Sequence, residues 1–128
     1  MFLKKEMFNY GGQTVELSEL SGLQRMDYLT FVQQQTTAFD AVKEDQPVAE
    51  RQIAFLRMGT DINAWLVSRS LWNADQSQDV ESLYSTVRVT WSYEALGLAG
   101  ERILVLSGMR LVSTDGEQAE VPQSPEKS

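Results

Sequence analysis

The sequence contains no cysteine and no histidine. Without cysteine the chain can form neither disulfides nor thiolate metal sites. Without histidine it lacks the commonest general base and the commonest metal ligand, which excludes catalytic triads and histidine–zinc sites. The acidic pairs Glu44/Asp45 and Asp75/Asp79 lie in predicted loops, where carboxylates face solvent and nothing raises their pKa for catalysis. These absences argue against an enzyme and predict no cofactor and no metal.

Positive charge is also scarce, because 11 Lys and Arg face 18 Asp and Glu and leave a net charge of −7. Lys4-Lys5 is the only adjacent basic pair. An acidic chain without a basic patch repels phosphate backbones, so we expect no nucleic-acid partner. No apolar run approaches the ~20 residues that cross a bilayer. Residues 1–6 lack the apolar block of a signal peptide. We therefore expect a cytoplasmic protein without a membrane partner.

A length of 128 residues with 42% hydrophobic content fits one globular domain. The composition changes near the C-terminus, where residues 113–128 contain one large apolar side chain, two prolines and a net charge of −3. Such a segment cannot bury enough apolar surface to fold. We predict a single domain over residues 1–112, followed by a disordered acidic tail over residues 113–128.

The N-terminal segment, residues 2–17, has the pattern of a β-hairpin. Gly11-Gly12 supplies the positive φ angles that a tight turn needs. After the turn, Val15 and Leu17 alternate with polar residues, as strands with one buried face do. Two strands alone are marginally stable in water, so this hairpin must pack on helices or pair with a partner through its free edge.

Two serines compete as the start of the first helix. Ser21 and Gln24 have the spacing of a capping box. A cap at Ser18 instead places Glu19 in the first turn, where the helix dipole favours an acid. We favour Ser18, because Leu20 then joins an apolar stripe with helical spacing, which Phe31 widens: Leu20, Leu23, Met26, Leu29 and Val32.

The charged segment 36–47, which ends in Pro47, predicts a connection between helices. Pro47 suits the first turn of the next helix, where its missing N–H has no cost. A long helix follows from Val48 to about Asn73. Trp65 and Trp72 lie seven residues apart on one face of it, either as a core stripe or as an interface anchor.

The polar loop 73–79 ends in Asp79, which predicts a cap for a third helix running to Trp91. Ser92 predicts the cap of a fourth helix, and Gly108 is placed for its C-terminal cap. The predicted fold is therefore mainly α: an N-terminal hairpin followed by about four helices. As candidate contacts with a partner we select the hairpin edge and five side chains: Gln24, Arg25, Trp65, Trp72 and Trp91.

Several short segments resemble one known family. They are Met1 to Lys4, Thr14-Val15, Leu17 to Ser21 with Leu23-Gln24-Arg25, Ser70 to Asn73, Thr90-Trp91 with Glu94-Ala95, and Leu106 to Met109. In this order they resemble the tail assembly protein G family of lambda-like phages and prophages. The resemblance runs from residue 1 to about residue 110. Residues 36–47 and the first part of the long helix depart from the family pattern.

The resemblance implies a tail assembly chaperone that binds the tape measure protein and keeps it soluble. In that family a ribosomal frameshift adds a T extension, and the longer product recruits the major tail tube protein. The chaperones leave before the tail is complete and are absent from the virion. The resemblance leaves self-association open. Two alternatives remain: a structural minor tail component retained in the virion, and a helical adaptor or regulator unrelated to tails.

Overall fold

A computed structural model describes residues 2–110 of the chain. The predicted tail, 113–128, and the domain boundary at 112 lie outside these residues. The described part is mainly helical with an N-terminal hairpin, which confirms the predicted fold class. Its elements are β1 (Lys5–Tyr10), β2 (Gln13–Ser18), α1 (Gly22–Val42), a 3-10 turn (Lys43–Asp45), α2 (Val48–Ala74), α3 (Val80–Thr90) and α4 (Tyr93–Leu106).

The hairpin forms where the sequence predicts it. Gly11 and Gly12 have φ angles of 59° and 80°, the two positive values that a type I′ turn requires. The strands pair antiparallel, with Phe8 opposite Val15. β2 runs inward toward the helices, so its last residues are buried.

The first helix begins at Gly22, and the expected start at Ser18 is wrong. Ser21 Oγ accepts a hydrogen bond from the Gln24 N–H at 3.2 Å, and Gln24 Oε1 accepts one from the Ser21 N–H at 3.0 Å. This reciprocal pair is the capping box that the sequence also offered. Ser18 stays in β2 because its backbone bonds to α2, and Leu20 stays extended because its N–H donates to Ser107 Oγ at 2.9 Å.

The predicted apolar stripe of α1 is also wrong. Leu23, Met26 and Leu29 are each more than half exposed. Phe31, predicted to widen the stripe, does turn inward, and it does so together with Tyr28: both rings pack against Trp65 on α2. The difference follows from the start of the helix: Leu20 is not helical, and two aromatic rings bury more area than the Leu/Met row would.

The connection between α1 and α2 is shorter than predicted. α1 continues to Val42, and only the 3-10 turn with Gln46 and Pro47 separates it from α2. Pro47 occupies the N-cap position just before Val48 rather than the first turn. The long helix itself is confirmed. At ~1.5 Å per residue it is about 40 Å long.

The core lies around the C-terminal half of α2. β2, α3, α4 and the beginning of α1 pack on it, and its fully buried side chains include Leu17, Leu20, Leu66, Val67, Leu96 and Ile103. Residues 33–42 of α1 and 48–60 of α2 extend beyond this core as a pair of helices. We call this pair the arm. Phe39 and Phe55 meet edge to face between its helices, with ring centroids 5.9 Å apart.

The caps of α3 and α4 are confirmed. Asp79 Oδ2 accepts from the Ser82 N–H at 3.1 Å, and Ser92 Oγ accepts from the Ala95 N–H at 3.0 Å. α4 ends at Leu106, and Gly108 terminates it as predicted, because its φ of 71° lets the chain turn back.

α4 packs tightly on α2 at Gly100. A Cβ placed there would clash with the Asn63 side chain, so a larger residue at this crossing requires that side chain to move. α4 covers α2 as far as this crossing, and toward its N-terminus α2 continues beyond the crossing into the arm.

Candidate functional site

The carboxylate of Glu19 ties the N-terminal strand to α1. Its Oε2 accepts from the Lys4 N–H at 2.8 Å, and its Oε1 accepts from Arg25 Nη2 at 3.0 Å. The Glu19 N–H in turn donates to the Lys4 carbonyl at 2.9 Å. Glu19 is buried, and both oxygens of its carboxylate accept hydrogen bonds. These contacts therefore stabilise the fold, and the carboxylate is not available to a ligand.

A second group of polar bonds joins the same segment to α2. Gln24 and Asn73 form a reciprocal amide pair: Gln24 Nε2 donates to Asn73 Oδ1 at 3.0 Å, and Asn73 Nδ2 donates to Gln24 Oε1 at 2.9 Å. Asn73 Nδ2 also donates to Ser18 Oγ at 3.1 Å. We call residues 17–25 together with Ser70, Asn73 and Ser107 the junction.

Two of the predicted contact residues, Gln24 and Arg25, lie in the junction. Gln24 caps α1 and pairs with Asn73, so its amide has a structural role. The Arg25 side chain is 35% exposed beside Glu19, so part of its guanidinium remains open to a partner. Three segments that carry the family resemblance, in residues 17–25, 70–73 and 106–109, meet here although they are far apart in the sequence.

The three tryptophans have different environments. Trp65 is 5% exposed and lies in the core, with the Arg69 guanidinium 4.5 Å from its ring. Of the two alternatives for Trp65, a core residue or an interface anchor, the structure therefore has the core residue. Trp72 and Trp91 are half-buried and keep part of their indoles accessible. Trp72 precedes Asn73, so it lies at the end of the bundle near the junction.

The inner face of β1 is anchored to the last two helices. The Phe8 ring stacks on Trp91 with centroids 6.3 Å apart, and the Tyr10 hydroxyl donates to Glu94 Oε1 at 2.6 Å. Glu6 accepts two hydrogen bonds from Arg102, at 2.7 and 2.8 Å. These hydrogen bonds lower the pKa of the Glu6 carboxyl.

A cleft opens between the hairpin turn and the short connection from α3 to α4. Its volume is about 310 Å³, and its walls include Phe8, Tyr10, Val15, Trp91 and Ala95. Its size fits one or two side chains of a bound protein, and its aromatic walls suit apolar ones. Trp91 therefore lies where a partner side chain could contact it.

The outer edge of β1 is open. β2 is covered by α2 on its other side, and within residues 2–110 no third strand pairs with β1. Lys5, Met7 and Asn9 alternate on its exposed face. An open edge can accept an extended segment of another chain as an added strand.

Groups of neighbouring large apolar side chains are exposed on α1 and on α2. Leu23, Met26 and Leu29 form a row on α1, which we call the α1 row. Ile53, Phe55 and Leu56 are exposed on the α2 side of the arm. Apolar patches of this kind mark interaction surfaces in proteins. Sequence periodicity missed the α1 row because the same spacing is typical of a buried face.

The described residues offer no catalytic arrangement. Within residues 2–110, no three His, Cys, Asp or Glu side chains are grouped so that they could hold a metal ion. Burial raises the pKa of the Tyr28 and Tyr84 hydroxyls, which keeps them protonated at neutral pH. In the same range no helix has the length and apolar content to cross a membrane. The geometry therefore supports binding through surfaces.

Comparison with known proteins identifies relatives of the chain. A family model described as bacteriophage lambda tail assembly chaperone, TAC, protein G matches residues 1–127. Tail assembly protein G of Escherichia phage lambda is 34% identical over 130 residues, which cover 94% of this chain and 88% of that protein. Tail assembly protein G of Escherichia phage N15 is 30% identical over 139 residues, which cover 98% and 93%.

The chain also matches a longer relative. Tail assembly protein GT of Escherichia phage lambda is 34% identical over 130 residues, but these cover only 44% of its length. The G and GT proteins of that phage therefore share a region similar to this chain. No solved structure gives a significant match.

Proposed function

The chain belongs to the phage lambda tail assembly chaperone family of protein G, and from this premise we propose that it binds the tape measure protein of its phage and keeps that protein soluble during tail assembly. Members of this family are assembly chaperones and not enzymes. A tape measure protein, as the family resemblance implies, is a long helix with an apolar stripe. Such a helix aggregates when its stripe is bare and needs an apolar surface to cover it.

The α1 row is the observation that carries this proposal. Leu23, Met26 and Leu29 recur at a spacing of three residues, so they lie along one side of α1 and remain more than half exposed. A helix with apolar residues at similar spacing can lie against such a row, as amphipathic helices do in grooves. Of the sequence-predicted contacts, we assign Arg25 and Trp72 to the border of this surface.

Trp91 and the open edge of β1 form a second contact region in the proposal. The cleft beside Trp91 accepts apolar side chains, and the edge of β1 accepts an extended segment. Gln24 and Trp65 support these surfaces from within, since one fixes the start of α1 and the other packs beneath it.

The remaining parts of the proposal concern assembly. We assign recruitment of the major tail tube protein to a longer, frameshifted product corresponding to the GT relatives. We place the chaperone in the host cytoplasm, from which it leaves before the tail is complete. Mass spectrometry of purified virions tests this last point, since abundant protein in finished tails favours a structural minor tail component instead.

The central experiment is co-expression with the cognate tape measure protein. We expect a higher soluble yield of the tape measure protein and co-elution of the two proteins on size exclusion. Met26→Glu should reduce both effects, because it places a charge in the middle of the α1 row. Leu98→Glu is the matched control, since Leu98 is an exposed apolar residue on α4 away from this row.

Unchanged solubility without a complex contradicts the proposal. A complex that tolerates Met26→Glu would move the contact to the region around Trp91. An adaptor unrelated to tails is distinguished by its gene neighbourhood, because the proposed function requires a tape measure gene close by.

A further inference from the structure

One side of α2 carries a continuous seam that changes its environment along the helix. Its residues are spaced alternately four and three apart, as in the core of a coiled coil: Ala49, Ile53, Leu56, Thr60, Asn63 and Val67. At its C-terminal end Val67 is fully buried and Asn63 lies against Gly100 of α4. At its N-terminal end, on the arm, Ile53 is 60% and Leu56 52% exposed.

The exposed half of the seam is not covered by α1, although Leu56 borders a cleft that Phe39 of α1 also lines. α1 packs on the opposite side of α2, which includes Ala54 and Met58, and these two residues are partly buried. Ile53 and Leu56 therefore remain more than half exposed, and α3 approaches this side of α2 at Arg57 and Thr60, which line a cleft with Val89. A helix that lies along this side would extend the packing that α4 provides farther along α2.

The charges beside the seam are complementary to a second copy of the same helix. Glu50 and Arg57 are exposed and follow Ala49 and Leu56, at the positions that flank a coiled-coil core. If two copies run antiparallel with Ile53 opposite Leu56, the same register places Ala49 opposite Thr60. On one flank of this register, Glu50 of each copy lies beside Arg57 of the other, two residues away from direct opposition, which long charged side chains can span to form two ion pairs.

A parallel arrangement lacks this match. Residues on the flanks would then pair Gln52 of one copy with Arg57 of the other, which joins a neutral amide to a cation. In the antiparallel arrangement, the residues that flank the seam on its other side are Gln52 and Gly59, and a Cβ at Gly59 would meet open space. That side leaves room for the close approach of a second helix.

We propose that two copies of this chain associate through an antiparallel pairing of their α2 arms, with Ile53 and Leu56 at the centre and Glu50–Arg57 ion pairs at the flanks. The exposed seam is only about two heptads long, so the dimer is weak and depends on concentration. This inference does not rest on the proposed binding of a tape measure protein, and its test uses the purified chain alone.

Sedimentation velocity and light scattering of the full chain, over roughly three decades of concentration up to about 1 mM, measure the association. We expect a shift from the 14.5 kDa monomer toward twice that mass. Leu56→Glu should keep the chain monomeric throughout. Leu98→Glu is the matched control, because Leu98 is 48% exposed on α4 outside the seam, and it should associate like the wild type.

A charge exchange tests the direction of pairing. Glu50→Arg and Arg57→Glu should each weaken the dimer about fivefold or more, since each change creates two like-charge contacts in place of two ion pairs. The double variant restores opposite charges and should associate within about twofold of the wild type. Thermal unfolding midpoints close to that of the wild type show that the variants are folded.

A wild-type chain that stays monomeric over the whole range overturns the proposal. So does a dimer that tolerates Leu56→Glu. A double variant as weak as the single ones overturns the antiparallel register. If the chain is monomeric alone and a tape measure segment protects Leu56 from solvent, the seam is a site for that protein and not for a second copy.

Discussion

Ser18 and Ser70 exchange two hydrogen bonds across the inner edge of the hairpin. The Ser18 N–H donates to Ser70 Oγ at 2.7 Å, and the same hydroxyl donates to the Ser18 carbonyl at 3.0 Å. A side chain of α2 thus makes the two backbone hydrogen bonds to Ser18 that a neighbouring strand would otherwise make. Both residues are fully buried, so no water competes for these bonds.

Ser70→Ala should therefore destabilise the protein by more than the loss of one exposed hydrogen bond. The change leaves a buried N–H and a buried carbonyl of Ser18 without this partner, which costs about 1–3 kcal/mol. Urea unfolding followed by circular dichroism measures the free energy of unfolding. Ser85→Ala, at an exposed position on α3, is the control and should change it by less than about 0.5 kcal/mol.

The Glu6–Arg102 pair should make stability depend on pH. The pKa of Glu6 is lower in the folded protein than in the unfolded chain, because Arg102 donates two hydrogen bonds to the ionised form. The pair therefore stabilises the fold above the unfolded pKa of a glutamate, and the contribution is lost as the pH falls through the folded pKa. Arg102 stays protonated throughout, since the pair raises its pKa.

Glu6→Gln tests this dependence. We expect the variant to be less stable than the wild type at pH 7 and to approach it in stability at about pH 3, below the usual range of carboxyl groups. A difference that is the same at both pH values would contradict an ionic contribution of Glu6.

Two glycines on packed helices should respond in opposite ways to alanine. At Gly59 a Cβ meets nothing within 4 Å, so Gly59→Ala should stabilise α2 by up to about 1 kcal/mol. At Gly100 a Cβ would lie 2.3 Å from Asn63 Oδ1, so Gly100→Ala forces Asn63 to move and should lower the thermal midpoint. Adding Asn63→Ala to Gly100→Ala removes the obstacle and should recover most of the loss.

The tryptophans should separate by their burial. Trp65→Ala removes the ring on which Tyr28 and Phe31 pack, and such changes cost about 3–5 kcal/mol. Trp91→Ala should cost less, because Trp91 is only partly buried and lines the cleft, whereas Trp65 lies in the core. Thermal unfolding of both variants measures the difference. Equal losses would show that Trp91 is as much a core residue as Trp65.

The sequence predicted the elements whose signals are local. The Gly11-Gly12 turn, the caps at Asp79 and Ser92 and the end at Gly108 all depend on residues within four positions of one another, and all are confirmed. The start of α1 has a local signal too, the capping box of Ser21 and Gln24, but the choice between Ser21 and Ser18 depends on a long-range bond. Ser18 is held by Ser70, 52 residues away, so it cannot cap a helix, and no local pattern shows this.

The candidate surfaces were predicted less well for the same reason. Whether the α1 row faces the core or solvent depends on which side of α1 meets Trp65, and the spacing of Leu23, Met26 and Leu29 fits either case. The position of Trp91 beside the hairpin depends on Phe8, which is far from it in the sequence. The sequence predicts which helix or strand each of these residues belongs to. Whether a residue then faces solvent or the core depends on tertiary packing, which the local pattern does not show.

The hydrogen bond from Leu20 to Ser107 has a consequence for the synthesis of the chain. The two residues are 87 positions apart, so this bond cannot form until the ribosome has nearly finished the described domain. At about 5–20 residues per second, Leu20 waits roughly 4–17 s for its partner. During that interval the hairpin has neither α4 nor the Ser107 hydroxyl to dock on. Docking of Leu20 on the end of α4 is therefore a late event, completed only after the last helix has been made.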